Sequence, residues 1–171
     1  MHERDDGMIK DNVEKALNDQ IQYEFTAAYA YLAMSAYFEG QNLSGFASWM
    51  LQQAKEEVEH AMKLFAYVND RGGQVVLGAV REPKAGYKSA SEVAQASLAM
   101  EQANTQAINK LYALAVKEND YATQTMLHWF INEQVEEEKT MREVIGLLEM
   151  AGDNRGAMLV LNGRMAQRSG G

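Results

Sequence analysis

With 171 residues and a mass of 19.1 kDa, the chain has the length of one domain, enough to bury most of the surface its unfolded form exposes. Its formal net charge of -8 excludes a nucleic-acid partner, because phosphate binding needs clustered Lys and Arg, and the 16 here are scattered and outnumbered by 24 acids. The lack of cysteine excludes disulfides, thiolate chemistry and iron–sulfur clusters, leaving oxygen and nitrogen as ligand atoms.

Residues 1–8 read as a charged N-terminal extension with no signal-type apolar core behind it. The longest nearly apolar stretch, 25–38, is too short to span a bilayer and contains Thr26 and Ser35, so no membrane partner and a cytoplasmic location are expected. One proline and 11 methionines favour long unbroken helices. Helical periodicity then predicts four rods in chain order, over 9–39, 43–71, 90–118 and 120–150. Gly40, Gln41 and Asn42 part the first pair and Asn119 and Asp120 the second, while Ser89 and Glu92 have the spacing of a capping box at the third start.

Rods of about 30 residues would each be roughly 45 Å long, and matched rods pack best side by side. The two short links make antiparallel hairpins. The middle link, 72–88, carries four glycines and the only proline, Pro83, and its 17 residues can reach on the order of 55 Å when extended. It can therefore run the length of the bundle and leave the second and third rods parallel. A short segment within 154–167, with Met158, Leu159, Val160, Leu161 and Met165, predicts a fifth helix that packs against other subunits. The fold class expected is all-α: one domain over 1–171, with a four-helix bundle over 9–150, one long crossover between the second and third rods and a short fifth helix over 154–167.

Each rod carries an acid on its apolar stripe. On the first, Glu24 lies among Val13, Leu17, Ile21, Ala28, Tyr31 and Phe38. On the second, Glu57 and His60 share a face with Phe46, Met50, Leu64 and Tyr67, and their i, i+3 spacing sets both side chains over one point. Glu101 sits among Ala94, Leu98, Thr105, Ile108 and Tyr112 on the third, and Glu137 among Met126, Phe130, Gln134, Met141 and Val144 on the fourth. Four ionised carboxylates in one core are tolerable only if protonated, paired with cations or bound to metal, and no Lys or Arg lies on these stripes. Oxygen donors with one imidazole suit iron or manganese, and a carboxylate flanked by ligands on both sides, as Glu57 is, can bridge two ions.

These features resemble the prokaryotic non-haem ferritins over essentially the whole chain after residue 8. The resemblance rests on Ala16-Leu17-Asn18-Asp19-Gln20 leading to Glu24, on Lys55-Glu56-Glu57-Val58-Glu59-His60-Ala61, and on Asn132-Glu133-Gln134-Val135-Glu136-Glu137-Glu138. It implies one iron held by Glu24, Glu57 and His60 and a second by Glu57, Glu101 and Glu137, with Gln134 close by and Tyr31 beside the pair. It also implies a third iron site on Glu56, Glu133 and Glu136, with Glu137 shared. Trp129 reads as packing. Position 140, three after Glu137, is Thr rather than a second histidine, which disfavours bacterioferritin, rubrerythrin and oxygenase-type relatives. Val58 stands where bacterioferritin's haem-ligating methionine would be, so haem is not expected. The activity implied is oxidation of Fe(II) by O2 or H2O2 and storage of Fe(III) as mineral inside a homo-oligomeric shell of 24 subunits.

Overall fold

A computed structural model describes residues 8–167, and within them five α-helices and no strand. They are α1 (Asp11–Gly40), α2 (Ser44–Asp70), α3 (Ala90–Lys117), α4 (Tyr121–Ala151) and α5 (Arg155–Ala166). Each boundary falls within two residues of the sequence expectation. Residues 1–7 of the charged extension and the tail 168–171 lie outside the described residues.

The links work as their residues demand. Asn42 and Asn119 take φ of 57° and 56°, the left-handed region that Asn tolerates better than other side-chain-bearing residues, so each chain reversal closes in three residues. Asp120 caps α4 by accepting from the Thr123 N–H at 3.0 Å, and Ser89 caps α3 by accepting from the Glu92 N–H at 3.1 Å. The box at α3 is not fully reciprocal: the Glu92 carboxylate accepts from the Lys88 N–H rather than from that of Ser89.

α2 has no cap of its own. Its first N–H groups, on Gly45 and Phe46, instead donate to the Asn162 side-chain oxygen of α5 at 2.9 and 3.1 Å. A Cβ at Gly45 would stand 1.8 Å from the Asn162 carbonyl oxygen, so only glycine lets α5 come this close. The fifth helix thus buries Leu161 and Met165 against the bundle and leaves Leu159 and Val160 exposed.

α1 packs along α2 and α3 along α4, and α1 also lies against α3. The crossover 72–88 is tied to α1. Asn18 donates to the Gln74 carbonyl and accepts from the Val76 N–H, and Gln22 donates to the Ala79 carbonyl at 2.7 Å. Two apolar clusters form the core. One holds Phe38, Phe46, Met50, Met141 and Leu148, the other Val13, Leu17, Leu64, Ile108, Leu127 and Phe130. A layer of buried acids, amides and one histidine separates them.

Candidate metal centre

Every acid expected on a stripe is buried: Glu24, Glu57, Glu101 and Glu137 are all at most 5% exposed. His60 is buried beside them. One oxygen of Glu24, one of Glu57 and one nitrogen of His60 lie within 4.8 Å of one another, close enough to share one ion. His60 Nδ1 stands 3.4 Å from Glu57 Oε2 and 4.0 Å from Glu24 Oε2. As a carboxylate Glu57 has no hydrogen-bond donor on either oxygen, and His60 Nδ1 has no partner, although all three atoms are cut off from solvent; only when protonated does Glu57 share a hydrogen bond with the acids beside it. Leaving such groups unpaired costs about 1–3 kcal/mol each, and more if charged, and a cation held by these atoms would relieve that cost.

Glu101 and Glu137 are placed differently. The Tyr31 hydroxyl donates to Glu101 Oε1 at 2.5 Å, and the Gln134 amide donates to Glu101 Oε2 at 3.2 Å and to the Glu101 carbonyl at 3.1 Å. The Gln53 amide donates to Glu137 Oε2 at 2.9 Å. Both acids face the centre, but they do not close with Glu57 into a three-ligand cluster like that of Glu24 and His60. Sequence reasoning named Tyr31 and Gln134 and missed Gln53 and Asn104, both fully buried amides on α2 and α3.

Burial and mutual repulsion set the protonation of the group. Desolvation, then the nearby Glu24 and Glu101 charges, holds the Glu57 carboxyl well above the usual range. Glu101 is also raised by burial, with the Tyr31 and Gln134 hydrogen bonds opposing. Glu137 is pushed up to about 7 by burial and by the charge of Glu101, with the Gln53 bond working the other way. Protons thus relieve in the metal-free centre the repulsion that a cation would relieve in a loaded one.

A cleft of about 670 Å³ between α2 and α4 opens onto His60 and Glu137. Glu56, Glu59, Glu133 and Glu136 line it, giving its mouth a negative field that draws cations. His60, Glu133 and Glu137 form a second cluster with ligand atoms within 4.8 Å. Glu56 and Glu136 line the same cleft but stand outside that cluster, and the Gln52 amide lies 3.4 Å from Glu56. Trp129 is not simply core packing: it is 38% exposed at this mouth, its ring edge-on to His60 at 5.3 Å and under the Lys63 ammonium at 4.0 Å. A tryptophan beside a buried stripe carries no sequence mark of which way it turns.

Residues 14–151 match the family model of the ferritin-like domain. A bacterial non-heme ferritin of Staphylococcus aureus (strain USA300) is 40% identical over 162 residues, 95% of this chain and 98% of that one, and one of Staphylococcus haemolyticus (strain JCSC1435) matches equally well. Among solved structures, an open pore ferritin from the hyperthermophilic archaeon Archaeoglobus fulgidus superposes with a TM-score of 0.93 at 38% identity, covering 94% of this chain and 99% of that one. An engineered closed form of the Archaeoglobus fulgidus ferritin gives the same score and identity. The match runs through all four helices of the bundle and spans the buried acids, and the chain belongs to the ferritin-like domain family.

Proposed function

We propose that this protein stores iron, oxidising Fe(II) with O2 at a two-iron centre inside each bundle and depositing Fe(III) as a ferric oxyhydroxide mineral within a shell of like subunits. The observation that carries this reading is the convergence of Glu24, Glu57 and His60 with three unpartnered, solvent-free ligand atoms. Glu24, Glu57 and His60 bind the first ion. Glu57 bridges to the second, which Glu101 and Glu137 complete after turning from Tyr31, Gln134 and Gln53. O2 would take one electron from each ion and leave as H2O2 with two protons from water, and carboxylate ligands, harder than imidazole, favour the Fe(III) product while still allowing it to leave.

The acidic cleft supplies the approach. Glu56, Glu133 and Glu136 there would hold a third ion together with Glu137, between the two-iron centre and the mineral. The histidine at the border, His60, lies in both ligand clusters. The whole chain acts as one ferritin-like domain, and 24 copies of 19.1 kDa would make a shell of about 460 kDa. Exposed Leu159 and Val160 on α5, together with Val76 and Leu77 on the crossover, are apolar surface that neighbouring subunits would cover. H2O2 can replace O2 as oxidant, no haem is required, and the setting proposed is cytoplasmic. Among the described residues no helix is long and apolar enough to cross a membrane.

The test is aerobic addition of Fe(II), followed by the absorbance of Fe(III). The wild type oxidises many ions per subunit, and Glu57→Ala combined with Glu137→Ala slows the reaction by more than about a hundredfold. Oxidation by that double variant at the wild-type rate would overturn the assignment. Size-exclusion chromatography with iron analysis separates storage from the alternative of a small di-iron oxidoreductase, which would elute far below the shell mass and hold two irons per chain.

A further inference from the structure

Asn104 is 1% exposed on the buried face of α3, where an aliphatic side chain of similar volume would fill the same space without burying an amide. Its contacts explain its presence. Its Oδ1 accepts from the Gln20 amide at 2.6 Å, which fixes which way the Asn104 amide points. Its Nδ2 then faces Glu24, 3.4 Å from Oε1 and 3.3 Å from Oε2, and lies 3.5 Å from Gln134 Oε1. Gln20 also donates directly to Glu24 Oε1 at 2.9 Å. Gln134 in turn donates to Glu101. A strap of amides therefore runs from Gln20 on α1 through Asn104 on α3 to Gln134 on α4, touching the outer carboxylate of each half of the centre.

We propose that Asn104 is a positioning residue for the ligand Glu24, holding its carboxylate beside Glu57 and His60 and tying it through Gln134 to Glu101. This inference rests on the metal-centre reading above. The chemistry suits the task. A primary amide donates to a carboxylate without bringing a positive charge, so it restrains Glu24 while leaving its negative charge for an incoming cation, which Lys or Arg in its place would neutralise and repel. Glu24 then needs little ordering when an ion arrives, and outer-shell partners of this kind typically alter metal affinity by about 10–100-fold.

The test uses Co(II), which O2 does not readily oxidise at such sites and whose visible absorption reports coordination number and geometry. Assembled protein freed of iron is titrated with Co(II) alone, as wild type, Asn104→Leu, Asn104→Ser, Gln20→Leu and Glu57→Ala, with helicity and thermal midpoint measured on the same samples. Asn104→Leu is expected to weaken the first Co(II) about tenfold, with a changed absorption band. The loss at the second ion is smaller. Asn104→Ser, which keeps a donor, recovers part of the affinity. Gln20→Leu, which frees the Asn104 amide and also removes a direct donor to Glu24, weakens the first ion at least as much, and the double variant is no worse than Gln20→Leu alone.

Wild-type affinity and band shape in Asn104→Leu, or equal loss at both ions, would overturn the inference. If Asn104→Leu does not fold, Asn104→Ser decides: wild-type affinity and band shape there overturn the inference, and a partial loss confined to the first ion supports it. Glu57→Ala separates the two levels of failure. If it still binds two Co(II) ions normally, the centre itself is misassigned; if it loses them while Asn104→Leu and Gln20→Leu do not, only the role of Asn104 falls.

Discussion

The two halves of the candidate centre are made of the same residue types and are in opposite conditions. Glu24, Glu57 and His60 converge, and three of their atoms are left without partners. Glu101 and Glu137 are satisfied by Tyr31, Gln134 and Gln53. The first trio comes entirely from the α1–α2 hairpin and the second pair entirely from α3–α4. The lesson is that the four-helix arrangement alone does not build a symmetric site. Local donors decide which carboxylates are left open and which are already satisfied.

The largest effect that would break this contrast comes from Glu57→Leu, which removes the acid proposed to bridge the two halves. Metal-dependent oxidation should fall by more than about a hundredfold. The metal-free bundle should become more stable by on the order of 1–3 kcal/mol, because an unpartnered buried acid is replaced by a side chain that suits its surroundings. Denaturant midpoints on metal-free protein read the second half of the prediction; a loss of stability there would mean Glu57 is not strained in the empty centre.

The pH dependence comes next. Glu57, Glu101 and Glu137 have native pKa values above their unfolded ones, so the native state holds more protons and the stabilisation from these groups is complete below about pH 4.5. It is lost as pH rises; for Glu137 the window runs from 4.5 to about 7, worth on the order of 3 kcal/mol. Metal affinity should move the other way across that window, since the ligands must be deprotonated. Glu137→Gln should flatten both trends, as read by thermal midpoints and Co(II) titrations over the pH range.

Smaller still is Tyr31→Phe, which deletes the hydroxyl held by Glu101. It should cost the metal-free protein about 1–3 kcal/mol by leaving a buried carboxyl oxygen unpaired. The second Co(II) should bind more tightly by a few-fold, because Glu101 no longer has to leave a donor. A weaker second ion in Tyr31→Phe would instead show that the tyrosine holds Glu101 ready for metal. The smallest effect belongs to Glu136→Gln at the exposed rim of the cleft, where solvent and salt screen the charge: oxidation should slow by less than about threefold, and less again in high salt.

Much of this was legible before any coordinates. The period of the apolar stripes set the rods and the inward turn of Glu24, Glu57, Glu101 and Glu137, since a residue's face on a long helix follows from its register, and Ser89 and Asp120 marked the starts of α3 and α4. The partners of those acids were not legible. Gln53 and Asn104 are uncharged, lie on helices other than those of the acids they hold, and look in sequence like ordinary helix residues. The α2 cap was hidden for a similar reason, being supplied by Asn162 more than a hundred residues away. The lean of Trp129 over the cleft depends on Lys63 and His60, two more contacts made between helices.

The crossover gives the asymmetry a basis in topology. Contacts within each hairpin are short in sequence, whereas bringing the hairpins together requires closing the 17-residue segment 72–88 and laying it along Asn18 and Gln22. Glu24, Glu57 and His60 are brought together by the first reversal alone, whereas Glu101 and Glu137 face them only across the 72–88 closure. Changing the length of that segment would therefore alter how the two hairpins meet while leaving the trio on α1 and α2 within one hairpin.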